Sequence, residues 1–228
     1  MALLPTIILI YYATMSASEY KAMGFTEMGF KEIEVVNSVD PKCAELEILG
    51  YVVVGESWGA HMHLEEPLNL AAYEMAITRA IENEFHIEVL SPESAEQVLE
   101  LEIANNADYP FTPATEQKMP SLESVTKLWS PTSWVFGAYK DDLLVGVGAT
   151  SRDHRGVNID FGSVRREYRG KGLGFAIASL GIVHHAHLGD RDFSTGGAAI
   201  NEASKATVTK LGFAIDEIWR SYKAPGQS

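Results

Sequence analysis

The segment Val164-Arg165-Arg166-Glu167-Tyr168-Arg169-Gly170-Lys171-Gly172-Leu173-Gly174 decides how this chain is read. It follows Val157 to Val164, which reads as a strand, and leads into Gly172 to Leu188, an apolar run that reads as a helix. Glycines at a strand-to-helix junction let the backbone turn sharply and gather several N–H groups on one point. The helix beginning near Gly172 adds its positive dipole end. Arg165, Arg166, Arg169 and Lys171 surround that point, so the junction suits a pyrophosphate. Two other phosphate motifs fit worse. A P-loop needs Lys-Ser/Thr after its last glycine, where this chain has Phe175-Ala176. The dinucleotide fingerprint needs two residues between its second and third glycines, and here one residue separates each pair.

Outward from the loop, the pattern from about residue 86 is regular. His86 to Leu90 alternates as a strand. Ser91 and Pro92 open a helix with an apolar stripe at Val98, Leu101 and Ile103. Residues 108–133 carry four prolines and read as irregular, with a short helix around Leu122 to Leu128. Trp134 to Tyr139 and Leu143 to Thr150 read as a hairpin across Lys140-Asp141-Asp142. After the loop helix come a short strand, Asp192 to Thr195, and a helix from Asn201 to Lys210 stopped by Gly212. Phe213 to Ile218 and Trp219 to Lys223 are expected as two final strands. The fold class is therefore α/β, with a mixed, mostly antiparallel central sheet flanked by helices over residues 86–228 and an α/β extension before it.

Residues 1–85 form an acidic N-terminal region. Residues 1–100 hold 17 acids and four bases, whereas residues 101–228 hold 14 of each, so the net charge of −13 belongs to the N-terminal part. Helices are expected over 16–23 and 67–84. Glu45-Leu46-Glu47-Ile48-Leu49-Gly50-Tyr51, followed by a valine-rich run and Trp58, echoes Lys210-Leu211-Gly212-Phe213 and Trp219. Two readings stay open: a partial second copy of the C-terminal domain, or a helix–glycine–strand junction of the ordinary kind. Leu3 to Ala13 is almost wholly apolar but has no basic residue ahead of it, which favours a buried strand over a secretory signal. Cys43 is the only cysteine, so no internal disulfide forms, in keeping with a cytoplasmic location. The charge balance argues against nucleic acid as a partner, since phosphates require a basic stripe. No apolar run reaches the roughly 20 residues needed to cross a bilayer.

The glycine loop resembles the signature of the GCN5-related N-acetyltransferases (GNAT), Arg/Gln-x-x-Gly-x-Gly/Ala, matched by Arg169, Gly172 and Gly174. Val164 and Tyr168-Arg169-Gly170 resemble the family's lead-in, and Asn201 with Lys210-Leu211-Gly212-Phe213 resembles its second cofactor-side helix. The resemblance covers about residues 86–224. It implies acetyl-CoA as co-substrate, with no metal, and transfer of the acetyl group directly to a primary amine of a small molecule or peptide. It implies that the strand before the loop splays from its neighbour. Ser163, Val164 and Arg166 would then lie beside pantetheine. Arg169, Gly170, Lys171, Gly172, Leu173, Gly174 and Phe175 would hold the pyrophosphate, and Asn201 would reach the pantetheine arm. The alternative is a CoA-binding regulatory module, weak or inactive in catalysis, that acts through a protein partner. A homodimer is among the expected assemblies.

An amine must be neutral to attack a thioester, and for a lysine-like amine deprotonation at pH 7 costs about 4–5 kcal/mol. Asp160, on the strand entering the loop, is the expected general base. The family's usual proton donor to the leaving thiolate is a tyrosine, and this chain has Val208 at the corresponding place; Thr207, Ser204, Tyr222 and water are the remaining candidates. Cys43 has Lys42 as its only basic neighbour, which argues against a covalent route. His184 and His187 share a helix face, but without further ligands they suit a helix C-terminus better than a metal. His61 and His63 read as one polar strand face. The four tryptophans read mostly as core.

Overall fold

The computed structural model describes residues 33–108 and 119–225. The apolar run at 3–13 and the helix expected over 16–23 lie outside the described residues. Eight strands form one sheet: β1 (Ile33–Asn37), β2 (Val52–His63), β3 (His86–Leu90), β4 (Ser133–Lys140), β5 (Leu143–Asp153), β6 (Gly156–Val164), β7 (Asp192–Ala198) and β8 (Ala214–Lys223). Six α-helices accompany them among the described residues: α1 (Lys42–Ile48), α2 (Ala71–Glu82), α3 (Ala95–Asn105), α4 (Leu122–Thr126), α5 (Leu173–His187) and α6 (Glu202–Leu211). The strand order is β1-β8-β2-β7-β6-β5-β4-β3. Only β6 and β7 run parallel.

α5 is apolar all round because it is covered on both sides. One side lies on β4, β5 and β6, the other meets α2. Leu173, Ala176 and Ile177 pack with Phe136, Val145 and Phe85, and Ile182 and Ala186 pack with Val157 and Phe193. α3 and α4 cover the opposite face of β3 to β6 through Val98, Leu101 and Val125. Ser91 and Pro92 begin a 3₁₀ turn, and the α-helix proper starts at Ala95.

The sheet corrects one expectation. Residues 214–223 form a single strand, not two. No turn-forming residue separates Ile218 from Trp219. The chain takes up one extra residue, Asp216, as a bulge and continues. The neighbouring place that a returning strand would fill is taken by β2, which pairs with β7 on one side and β8 on the other. The N-terminal extension is thus built into the sheet of the C-terminal part. Trp58, Ala60, Met62, Leu64, Leu70 and Tyr73 share one core with Val208, Leu211 and Phe213, and Tyr73 Oη donates to the Leu211 carbonyl at 2.7 Å.

The similarity between the two ends of the chain is present in the backbone. β1-α1-β2 and β7-α6-β8 have the same order of elements. α1 ends with Gly50 N–H donating to Glu47 O and Tyr51 N–H to Leu46 O; α6 ends with Gly212 N–H donating to Thr209 O and Phe213 N–H to Val208 O. Both glycines are left-handed, at φ 82° and 99°, as this helix stop requires. β2 and β8 each carry one extra residue in their shared ladder, Val54 and Asp216, at matching places, with the Ser57–Trp219 pair between them.

Candidate active site

β6 pairs with β7 only from Val157 to Ile159. Beyond Ile159–Thr195 the two strands part, Thr195 Oγ1 tying the fork by donating to the Ile159 carbonyl at 3.0 Å. Residues 161–164 therefore keep their β5 partners while their other backbone edge faces a gap. The gap opens into a cleft of about 700 Å³. An extended amide-bearing ligand can add to such an edge through main-chain hydrogen bonds.

The loop closes one end of the cleft. Gly170 and Gly172 have φ of 75° and 81°, and the space a Cβ would fill at either is open. Gly172 is the N-cap of α5; no side chain caps the helix, and its first turn holds no acid. Free N–H groups there are arranged for an anion.

The lining brings together Asp160, Ser163, Val164, Arg169, Gly170, Gly172, Leu173, Gly174, Phe175 and Asn201. Each was expected there. The other expected residues turn elsewhere. Arg166 is ion-paired with Asp108, which also holds Arg169 at 2.8 Å. These guanidiniums keep the Asp108 carboxyl below the usual range, Arg166 contributing most. Lys171 lies over the Tyr168 ring at 4.9 Å. Arg165 donates to the Leu144 carbonyl at 2.9 Å. The four bases of the loop thus divide, with Arg169 the one on the cleft wall.

Ser163 presents its backbone, not its hydroxyl, to the gap: the side chain is buried and accepts from Asn105 Nδ2 at 2.8 Å. Asn105 and Asp108 carry no sign in the sequence, because they come from the last residue of α3 and the 3₁₀ turn after it, about 55–60 residues before the loop they support. Asn201 N-caps α6 by accepting from Ser204 N–H at 3.1 Å. Asp160 is the extra residue where β6 shifts register against β5. Its Oδ1 accepts from both Ser151 at 2.8 Å and Asn158 at 2.6 Å.

The candidates for proton donor separate clearly. Val208 faces the core and the cleft without a polar group. Thr207 donates back to the Ala203 carbonyl at 2.9 Å. Tyr222 is fully buried in the N-terminal cluster with Val36, Cys43, Leu46 and Tyr51 and bonds Glu47, so it is removed from the cleft. Burial, then Cys43 and Glu47, push its phenol up to about 12. The histidines of α5 are structural. His185 bonds Thr150 at 2.8 Å and Asp190 at 2.9 Å, and burial pushes its pKa down. Among the described residues no group of His, Cys, Asp and Glu is placed to hold a metal ion. Nor is any helix there long and apolar enough to cross a membrane.

Comparison with known proteins agrees with this geometry. No curated protein matches the sequence at a significant level. Solved structures do match in fold. A tandem GNAT protein from the clavulanic acid biosynthesis pathway aligns with TM-score 0.59 and 17% identity, over 86% of this chain and 65% of that one. A GCN5-related N-acetyltransferase from Sphaerobacter thermophilus aligns with TM-score 0.62 and 15% identity, over 86% and 61%. One from Kribbella flavida gives 0.56 and 14%, over 86% and 68%. The chain thus spans somewhat under two thirds of the first two structures. Residues 97–213, just over half of the chain, match the family model described as the acetyltransferase (GNAT) family. With the splayed strands and the open helix terminus in place, the chain belongs to the GNAT acetyltransferase family.

Proposed function

We propose that this protein transfers an acetyl group from acetyl-CoA directly to a primary amine of a small molecule or peptide. The observation that carries this reading is the parting of β6 from β7 directly above the uncapped N-terminus of α5. The amides from Arg169 to Phe175 would hold the pyrophosphate, and the free edge of residues 161–164 would pair with the pantetheine amides. Acetyl-CoA supplies the activated thioester. The amine nitrogen forms the new C–N bond, the C–S bond breaks with its electron pair on sulfur, and free thiol and amide result. Of the two protons lost by the ammonium, one leaves before attack and one ends on the thiolate. Asp160, on the cleft wall, is one group placed to take the first. With Thr207 bonded to its own helix and Val208 apolar, the second reaches sulfur through water or through Ser204 on the cleft wall. A cytoplasmic location fits this co-substrate.

The test is calorimetric titration of the full chain with CoA, followed by thiol release from acetyl-CoA across a panel of primary amines. Saturable CoA binding with amine-dependent thiol release supports the reading. Gly172→Val should weaken CoA at least tenfold, because a branched side chain resists the left-handed conformation and covers the amides. Binding of CoA without thiol release from any amine favours the regulatory-module reading instead.

The same proposal extends to the N-terminal part. Residues 33–63 are read as the last third of a second GNAT-like copy, on the strength of the matching helix stops and matching bulges.

A further inference from the structure

A second cavity, of about 590 Å³, lies on the face of β2, β7 and β8 beside the cleft. Thr195 and Gly196 line both, so the two spaces meet where β6 and β7 part. Gly59 and Gly196 stand directly opposite each other in the β2–β7 ladder, and neither has a side chain to fill the floor. Around that floor stand His61, His63, Asp192, Ser194, Glu217 and Trp219.

The imidazoles are oriented. His61 Nδ1 meets Asp216 Oδ1 at 2.8 Å, and His63 Nδ1 meets Asp192 Oδ1 at 2.6 Å. A carboxylate on Nδ1 holds the proton there and leaves Nε2 as an acceptor. His61 is the nearer of the two to the fork. It pairs across the ladder with Ser194, and Ser194 pairs with Asn158, one step before the last β6–β7 pair. Asp160 is differently placed, with two donors already on one oxygen.

We infer that this cavity receives the acceptor amine and that His61, contributed by the N-terminal strand β2 and held by Asp216, takes the proton from the attacking nitrogen. This rests on the transferase reading above and names its base. The ammonium gives one proton to His61 Nε2, forming an imidazolium beside Asp216. The neutral nitrogen then attacks the thioester carbonyl carbon, the C–S bond breaks, the nitrogen's next proton ends on sulfur through water or Ser204, and the imidazolium returns its proton to solvent. Asp160 is a positioning residue, acting through Asn158, which in turn accepts from Ser194 at 3.2 Å. The cavity favours a cation. Glu217 lies over Gly59, its carboxylate 2.6 Å from where a Cβ would stand there, and accepts from Trp219 Nε1 at 2.9 Å. Arg155, the one arginine of the lining, is bound to Asp153. The acceptor is therefore an aliphatic amine with a further cationic group.

The charged and titratable groups facing His61 are Asp216 and Glu217 from β8, Asp192 from β7, His63 from its own strand and Arg155 from the turn before β6. The experiment uses the full chain with His61→Gln, Asp216→Asn, Asp160→Asn and Glu217→Gln. CoA affinity is measured first by calorimetry, then thiol release from acetyl-CoA with spermidine and with butylamine between pH 6 and 9. His61→Gln should leave CoA affinity within twofold, lower kcat at least 30-fold and remove the acidic limb of the pH profile. Asp216→Asn should lower kcat about tenfold and move that limb to lower pH, since the imidazolium loses its carboxylate. Asp160→Asn should cost less than threefold and keep the limb. Wild type should prefer spermidine over butylamine at least tenfold in kcat/KM, and Glu217→Gln should abolish that preference. Wild-type turnover by His61→Gln, or loss of the limb in Asp160→Asn, overturns the inference while leaving the transferase reading intact. Absence of thiol release from wild type with any amine removes that reading, and this one with it.

Discussion

β1-α1-β2 and β7-α6-β8 share one strand–helix–strand order, with different results. Both helices end on a left-handed glycine with the same pair of backbone bonds. Both second strands bulge at the matching residue and lie against each other in the sheet, between β1 and β7. The C-terminal unit borders the cleft where the strands part. Its first strand, β7, runs parallel to β6 and soon leaves it, above a glycine loop that starts a helix. The first strand of the N-terminal unit, β1, pairs antiparallel with β8 along its whole length. Its helix covers a small cluster of Val36, Cys43, Leu46, Tyr51 and Tyr222. The unit therefore makes a frame, and chemistry depends on what precedes it in the chain.

If the two units exchange strands as paired, neither stands alone, and the strongest way to break the comparison is to remove one. Deleting residues 33–63 takes β2 from between β7 and β8 and takes Trp58, Ala60 and Met62 from the main core. The remainder should lose cooperative folding, seen as loss of the near-ultraviolet circular dichroism signal and of a thermal transition. A folded, CoA-binding remainder would show that the C-terminal part is independent.

A milder break replaces one tryptophan of the shared strands at a time. Trp58 is buried and donates to the Ala198 carbonyl at 3.1 Å. Trp58→Ala should cost about 3–5 kcal/mol by denaturant titration. Trp219, half-exposed on the acceptor side, should cost about 1 kcal/mol when replaced by alanine.

The glycine stops test equivalence directly. Gly50→Ala and Gly212→Ala each place a Cβ in the left-handed region and should each cost about 1–2 kcal/mol. Costs within about 0.5 kcal/mol of each other would mark the stops as equivalent. A Cβ at Gly212 would stand 3.5 Å from Met62 Sδ, an ordinary contact, so crowding adds little there.

The smallest effect is expected from acid. Burial lowers the pKa of His184 and His185 in α5, on the C-terminal side of the molecule. The unfolded chain then binds more protons than the folded one below the ordinary pKa of about 6.5, so stability is present above that pH and falls as the pH drops below it. His63 runs the other way. Its bond to Asp192 raises its pKa, so its small contribution is present in acid and lost as pH rises through the folded value. Thermal melts between pH 5 and 8 should show a net loss toward acid, and Thr150 and Asp190, the partners of His185, should loosen before the N-terminal cluster does in hydrogen exchange.

Much of this molecule is local and could be read from the chain. Gly172 and Gly174 at a strand–helix junction state their own geometry, because a left-handed turn and an uncapped helix start are properties of neighbouring residues. Asn201 and Gly212 likewise mark the ends of α6 as cap and stop. Arg166 and Lys171 were placed by proximity in sequence, and what turned them away was Asp108 and the Tyr168 ring. One long strand was taken for two because the pattern alone does not separate a bulge at Asp216 from a turn. The sequence by itself determined the anion loop, the helix stops and the family. Only the tertiary structure decided that β2 inserts between β8 and β7 and that His61 faces the same cavity as Glu217. Strand neighbours are chosen by ladder register and core burial across some 150 residues, and no local pattern carries that information.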